Sequence, residues 1–251
     1  MERTYTPRPA TNLSGKIALV TGASAGIGRA TAIALAHHGA NLVVTARRED
    51  RLRQLCYEIE ALETPGAKAV FHAGDASHDD TARQTVALAI ATFGRLDILI
   101  NNAGAGNYKN LVDTTVEDYD ALMNANMKSS FLFSRHAAPI MIEQKSGTIL
   151  FISSVAGLQG VPGESVYCAT KFAQAGFSQS LDAELRKHNI KVGTIFPGGV
   201  KTEFALGKGR TEDSIRNSSM MDPTEVAEAI AFACLQPPNL RIPQMTIRHM
   251  G

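Results

Sequence analysis

Tyr167 and Lys171 lie four positions apart in Ser165-Val166-Tyr167-Cys168-Ala169-Thr170-Lys171, near the start of a long helical pattern. On a helix that spacing brings both side chains to one face. A phenol of ordinary pKa is a poor base at neutral pH, and a neighbouring ammonium favours the phenolate and draws its pKa towards the working range. The pair is therefore expected to act as an acid–base at a reacting oxygen. Ser153 and Ser154 end an apolar strand pattern just upstream. Ser154 is placed to donate a hydrogen bond to that same oxygen as negative charge grows on it.

A second constellation handles an anion. The first strand pattern runs into Thr21-Gly22-Ala23-Ser24-Ala25-Gly26-Ile27-Gly28, which opens a helix. Glycines permit positive φ there and remove the Cβ atoms that would keep a pyrophosphate from the backbone, while the helix N-terminus offers amides and partial positive charge. Gly22, Ser24, Ala25, Gly26, Ile27 and Gly28 are expected to cradle it. The spacing differs from Gly-x-Gly-x-x-Gly, and no Lys-Ser/Thr follows as a P-loop requires. The second strand ends Val43-Val44-Thr45-Ala46-Arg47-Arg48. A carboxylate at that point would bind a ribose 2′-hydroxyl, whereas guanidinium groups pair with a 2′-phosphate, so Arg47 and Arg48 favour NADP(H) over NAD(H).

The elements that position these residues alternate along the chain. Consecutive apolar residues predict strands at Ile17–Thr21, Leu42–Ala46, Ala69–His72, Leu96–Asn101, Thr148–Ser153, Val192–Phe196 and Arg241–Ile247, as a sheet buried on both faces requires. Between them the spacing predicts helices at Ile27–His38, Arg51–Glu63, Asp79–Phe93, Val116–Glu143, Ser165–His188 and Thr224–Leu235. This alternation implies an α/β fold: a single doubly wound parallel sheet of Rossmann type, with helices on both faces and ligands beyond the carboxyl ends of the strands. Residues 1–12, polar and carrying Pro7 and Pro9, read as a loose arm, and 13–251 as one dinucleotide-binding catalytic domain.

With 251 residues, 44% hydrophobic and 20% charged, the chain can bury a sizeable core and does not have a disordered composition. A net charge of +1 with interspersed signs argues against nucleic acid or a membrane surface as partner. No apolar run approaches a membrane span. Cys56, Cys168 and Cys234 match neither a disulfide framework nor a metal-ligand spacing, and the histidines form no ligand set. The expectation is a cytoplasmic protein with reduced thiols and no catalytic metal.

Taken in order, the motifs resemble those of the short-chain dehydrogenase/reductase family: Thr21-Gly22-x-x-x-Gly26-Ile27-Gly28, Asp75, Asn101-Asn102-Ala103-Gly104, Asn126, Ser154, Tyr167-x-x-x-Lys171 and Pro197-Gly198-x-x-x-Thr202. The resemblance implies that Tyr167 gives up a proton in reduction and takes one in oxidation. It also implies that Lys171 holds the nicotinamide ribose, that Ser154 orients the substrate oxygen, and that Asn126 anchors a water joining Lys171 to solvent. Asp75, with Ala76, would meet the adenine; Asn102, Ala103 and Gly104 would line the cofactor, with Asn101 stabilising the sheet instead. Pro197, Gly198, Val200 and Thr202 would cover the nicotinamide. The ending Pro237–Arg248, which lacks a glycine-rich stretch, is similar to that of 3-hydroxy acid, serine and clavulanic acid dehydrogenases.

Substrate contacts are expected from the least regular segments, Ala105–Tyr108, Leu158–Glu164 and Phe204–Met221, with a lid over 202–222 in which Lys208 and Arg210 could meet an anion. The family's helix pairing implies a homodimer or homotetramer through the helices of Asn126 and Tyr167. Phe172, Ala175, Phe177 and Leu181 suit either that interface or an internal core. The reading that results is hydride transfer between NADP(H) and a carbonyl or alcohol carbon of a small molecule. A catalytically idle NADP(H)-binding redox sensor is the alternative. An epimerase or dehydratase would call for further acid–base residues that the sequence does not display.

Overall fold

Val, Ile and Leu on consecutive positions give strands with no solvent face. In the computed structural model, which describes residues 12–62 and 67–250, seven strands form one sheet, buried on both faces at its centre and partly exposed at the two edges: β1 (Ile17–Thr21), β2 (Asn41–Ala46), β3 (Ala69–Ala73), β4 (Ile98–Asn101), β5 (Gly147–Ile152), β6 (Ile190–Pro197) and β7 (Gln244–Ile247). Their order is β3-β2-β1-β4-β5-β6-β7, and every pairing is parallel. The chain reverses its direction of travel between β1 and β4, the place where doubly wound sheets open a crevice at their carboxyl edge.

Among the described residues the α-helices are α1 (Gly26–His37), α2 (Glu49–Glu60), α3 (Asp79–Phe93), α4 (Val116–Met123), α5 (Ser129–Gln144), α6 (Ser165–Leu185), α7 (Glu212–Arg216) and α8 (Pro223–Cys234). Leu35 of α1, Leu52, Leu55 and Ile59 of α2 and Val226 and Ile230 of α8 pack on one face. Val86 of α3, Leu132, Phe133 and Met141 of α5 and Leu181 and Leu185 of α6 pack on the other. All three cysteines are buried and unpaired. Burial pushes the Cys56 thiol up to about 11 and the Cys234 thiol up to about 12, so both are inert at neutral pH. Among the described residues no helix is long and apolar enough to cross a membrane.

The structure departs from the expected elements in a few places. The arm expected at 1–12 lies outside the described residues except for Asn12, as does Glu63 at the end of the helix expected over Arg51–Glu63. The last strand starts at Gln244 and not at Arg241, because Pro243 has no N–H to give to a ladder. The single helix expected over Val116–Glu143 is two, α4 and α5, joined by a π turn at Asn124–Lys128. Within the span expected as irregular, Thr211 and Ser214 form a capping box that starts α7.

The amino edge of the sheet is fixed by one buried carboxylate. Asp97, 4% exposed, accepts hydrogen bonds from Arg95 (2.7 and 2.6 Å), from Lys16 Nζ (3.0 Å) and from the Ile17 amide (3.1 Å). Burial alone raises its pKa, but the donors from Arg95, Lys16 and Ile17 outweigh it, and the net shift is downward. Asp97 thus ties the start of β1 to the start of β4. Its stabilisation is present above the ordinary carboxylate pKa and is lost as pH falls through the lower folded-state value. Asp97→Ala is expected to lower the unfolding free energy by about 2–4 kcal/mol at pH 7, read from urea denaturation. The deficit should shrink in acid, and a deficit unchanged down to pH 3 would contradict the assignment.

Candidate active site

The turn after β1 is shaped by close approach. Gly22 and Gly26 have φ of +67° and +54°, a region L side chains rarely adopt. A Cβ on Gly28 would lie 2.4 Å from Asn102 Nδ2 and 2.5 Å from the Gly22 carbonyl. Asn102 Nδ2 donates to the Thr21 carbonyl at 2.8 Å, while Thr21 Oγ1 accepts from the amides of Asn102 (3.0 Å) and Ala103 (2.9 Å). Thr21 and Asn102 thereby join the ends of β1 and β4 across the crevice. α1 begins after Ala25 with no side-chain cap and no acidic residue in its first turn. A glycine-walled helix start of that kind fits the pyrophosphate of a dinucleotide.

At the end of β2, Arg48 donates from Nε and NH2 to Ser24 Oγ at 3.2 and 3.0 Å. Its NH1 meets Glu203 Oε2 at 2.8 Å, and Arg51 NH1 meets Glu203 Oε1 at 2.7 Å. Those two guanidinium groups hold the Glu203 carboxyl below its ordinary range. Glu203 was not among the residues expected at the site, since a carboxylate beside Thr202 has no local signature. Arg47 is exposed, and its charge helps lower Asp75. Asp75 itself accepts from the Ser77 amide and hydroxyl at 2.9 and 2.7 Å in a turn after β3, followed by half-buried Ala76.

Beyond β5, Ser153 and Ser154 separate in role. Ser153 Oγ donates to the Lys171 carbonyl at 3.0 Å within the core. Ser154 accepts from the Ala156 amide at 3.1 Å, and its hydroxyl acts to lower the Tyr167 phenol pKa against the burial that raises it. Tyr167 and Lys171 share a face of α6 as expected, with Lys171 Nζ 5.7 Å from the phenol ring centroid. Tyr167 is 6% and Lys171 3% exposed. Here the expected electrostatics are corrected: burial dominates and pushes the phenol up, against the opposing effects of Ser154 and Arg210, while burial brings the Lys171 amine down to about 7. The amine donates to two neutral acceptors, the Ile152 carbonyl (3.0 Å) and Gln174 Oε1 (2.9 Å).

Gln174, also missed in the sequence, connects this amine to the π turn. Its Nε2 donates to the Asn126 carbonyl at 3.0 Å and to Ser130 Oγ at 2.8 Å. The Asn126 side chain is fully buried and otherwise engaged: Oδ1 accepts from the Ala105 amide (2.7 Å), and Nδ2 donates to the Ala105 carbonyl (3.0 Å) and Thr170 Oγ1 (2.8 Å). Asn126 and Lys171 are thus joined through a side chain. Gly104 lies against both, since a Cβ there would stand 2.8 Å from Asn126 Oδ1 and 3.8 Å from Lys171 Nζ. Asn101, at the end of β4, donates to Ser134 Oγ of α5 at 3.1 Å.

The remaining wall comes from beyond β6. Pro197 ends the strand, the Gly198 amide donates to the Ile247 carbonyl at 2.8 Å, and Val200 bridges to Met221. Thr202 packs on Gly26, whose Cβ would lie 2.9 Å from Thr202 Cγ2. Tyr108 and Phe204 set their rings 5.7 and 5.8 Å from that of Tyr167. A cavity of about 540 Å³ opens beside the glycine turn between Ser24, Arg51, Thr202 and Glu203, away from Tyr167. Among the described residues no group of three His, Cys, Asp or Glu could hold a metal ion.

The strand order and the gathering of these loops at one sheet edge define a Rossmann-type α/β protein. The chain belongs to the short-chain dehydrogenase family and is an oxidoreductase of that family: the family model described as short chain dehydrogenase matches residues 16–213. An uncharacterised oxidoreductase of Thermotoga maritima is 35% identical over 231 residues, spanning 89% of this chain and 90% of the relative. A metagenomic short-chain oxidoreductase solved in complex with NADP is 35% identical with a TM-score of 0.81, covering 95% of this chain and 98% of that one. The closed form of a serine dehydrogenase complexed with NADP+ is 30% identical with a TM-score of 0.85, covering 92% and 94%.

The buried amine has a consequence for stability. The unfolded chain keeps the lysine proton up to its ordinary pKa of about 10.4, whereas the folded protein releases it near 7. Between those values the unfolded state binds more protons, so the contribution of Lys171 to stability rises with pH and is lost as pH falls to about 7. In cofactor-free protein, wild type should gain stability on Lys171→Met between pH 7 and pH 10, by up to about 1.4 kcal/mol per pH unit. Urea denaturation at several pH values reads this. A difference independent of pH would show that the amine keeps its proton when folded.

Proposed function

We propose that the protein transfers a hydride between NADP(H) and a carbonyl or alcohol carbon of a small molecule, with Tyr167 as the acid–base. The observation that carries this reading is a buried phenol whose ring centroid lies 5.7 Å from the Lys171 amine, with Ser154 acting to lower its pKa against that burial, beside an uncapped, glycine-walled helix start. The nicotinamide supplies or accepts the hydride when bound. Ser154 holds the substrate oxygen, and Tyr167, whose raised pKa keeps its proton in place, delivers that proton as the oxygen gains charge in reduction. In oxidation the proton passes from the substrate hydroxyl to Tyr167. Gln174 and the Ile152 carbonyl hold Lys171 in place beside it, and a water anchored at Asn126 would pass the proton on from Lys171 to solvent.

Gly22, Ser24, Ala25, Gly26, Ile27 and Gly28 would hold the pyrophosphate, with Asp75 and Ala76 at the adenine. Asn102, Ala103 and Gly104 would lie along the ribose, and Pro197, Gly198, Val200 and Thr202 would cover the nicotinamide. The Arg48–Ser24 pair, with Arg47 beside it, supports a 2′-phosphate, as do the NADP-bound neighbours. Glu203 would have to yield Arg48 to that phosphate. Residues 202–222 would serve as the substrate lid. Exposed Tyr119, Phe131 and Phe172 on α4, α5 and α6 suit self-association as a dimer or tetramer, and free buried thiols suit the cytoplasm.

Tyr167→Phe is expected to cost about 10²–10⁴-fold in kcat while leaving the NADPH dissociation constant nearly unchanged. Absorbance loss and fluorescence titration measure the two, and retained turnover would remove Tyr167 from the chemistry. Arg48→Asp should weaken NADPH by about 10–100-fold with little effect on NADH. Equal losses for both cofactors would contradict the 2′-phosphate assignment.

A further inference from the structure

Among the described residues, one cation at the wall of the site makes no ion pair. Arg210 closes a short loop through its own backbone, with its amide bonded to the Ala205 carbonyl at 3.1 Å and its carbonyl accepting from the Gly207 amide at 2.9 Å. The loop is pressed onto Tyr108: a Cβ on Gly209 would stand 2.5 Å from Tyr108 Cβ, and the Tyr108 amide donates to the Lys208 carbonyl at 3.0 Å. Lys208 is exposed, whereas Arg210 is half-buried. Its guanidinium carbon sits 5.7 Å from the Tyr108 ring centroid and 5.9 Å from that of Phe204. These are the same two rings that flank Tyr167.

Arg210 NH1 reaches the Val200 carbonyl at 3.3 Å, and against the burial that raises the Tyr108 phenol its charge acts to lower it. Glu164 faces it but stays beyond ion-pair distance, and the burial that raises the Glu164 carboxyl outweighs the attraction of Arg210. A guanidinium partly removed from water and short of acceptors is best satisfied by a planar anion that takes two of its N–H groups at once. A neutral ligand pressed against it would leave those donors unmet.

We propose that Arg210 binds a carboxylate of the substrate, so that the site takes small oxo acids and hydroxy acids in preference to neutral ketones and alcohols. Because Tyr108 and Phe204 touch both Arg210 and Tyr167, the anchored carboxylate and the reacting oxygen belong to one small molecule lying along these rings. The inference rests on the hydride-transfer reading of Tyr167 and adds the substrate class to it.

The test sets a panel of short 2- and 3-oxo acids against their methyl esters and neutral ketones, with NADPH, in wild type and in Arg210→Gln, Arg210→Lys and Lys187→Gln. At least one acid should exceed its ester by roughly 30-fold or more in kcat/KM, carried mainly by KM. Arg210→Gln should erase that advantage by slowing the acid alone, Arg210→Lys should restore part of it, and Lys187→Gln, an exposed cation far from the site, should leave it intact. The proposal is overturned where no acid outperforms its ester, or where Arg210→Gln slows acid and ester alike, as a residue that merely holds the loop would. Turnover of neutral ketones alone overturns this proposal and leaves the hydride-transfer reading standing. Turnover of no member by wild type defeats both.

Discussion

The site depends on an amine buried among neutral partners. Had Lys171 met a carboxylate, it would be fixed as a permanent ion pair and held away from the phenol. It meets the Ile152 carbonyl and Gln174 instead, so burial is opposed only by neutral acceptors and the amine sits near 7. A group so poised changes charge readily when its surroundings change. Tyr167 has the complementary setting: buried, and pushed up by that burial against the lowering effect of Ser154. In the free protein neither member of the pair gains from being charged, and a bound dinucleotide and substrate would supply the polar surroundings in which each could be.

That arrangement requires backbone polar groups to be released at the right place. The π turn at Asn124–Lys128 breaks what would otherwise be one helix, and the Asn126 carbonyl becomes an acceptor for Gln174 and for Ser130 Oγ. The sheet does the rest. Parallel strands deliver the ends of β1, β4, β5 and β6 to one edge, where Thr21, Asn102, Ser154 and Pro197 stand side by side. Asp97 braces the opposite edge, so stability and chemistry are assigned to the two ends of the same strands.

Much of this was legible in the sequence because it is local. Runs such as Leu42–Ala46 read as buried strands, Tyr167 and Lys171 declare a shared face by spacing, and Gly22–Gly28 mark a turn that needs glycine. What escaped depended on pairings between distant segments. Glu203 gains meaning only when residues more than a hundred positions earlier, Arg48 and Arg51, fold against it. Gln174 looks like any polar helix residue until Asn126 is placed beside it. The π turn leaves no mark in the pattern, since one extra residue in a turn shifts the hydrophobic face too little to be noticed. The direction of the Tyr167 shift was misjudged for a related reason: spacing shows which groups are neighbours, but burial determined the sign.

The central claim is that a hydride passes directly between the cofactor and a substrate carbon while Tyr167 handles the proton. The most direct measurement is isotope transfer: incubate the protein with NADPH deuterated at the reactive nicotinamide carbon and a panel of oxo acids and ketones, then analyse the alcohol products by mass spectrometry. One deuterium on the carbinol carbon, independent of solvent isotope and absent with Tyr167→Phe, is the expected result. Product formed without cofactor deuterium, or undiminished with Tyr167→Phe, would contradict it.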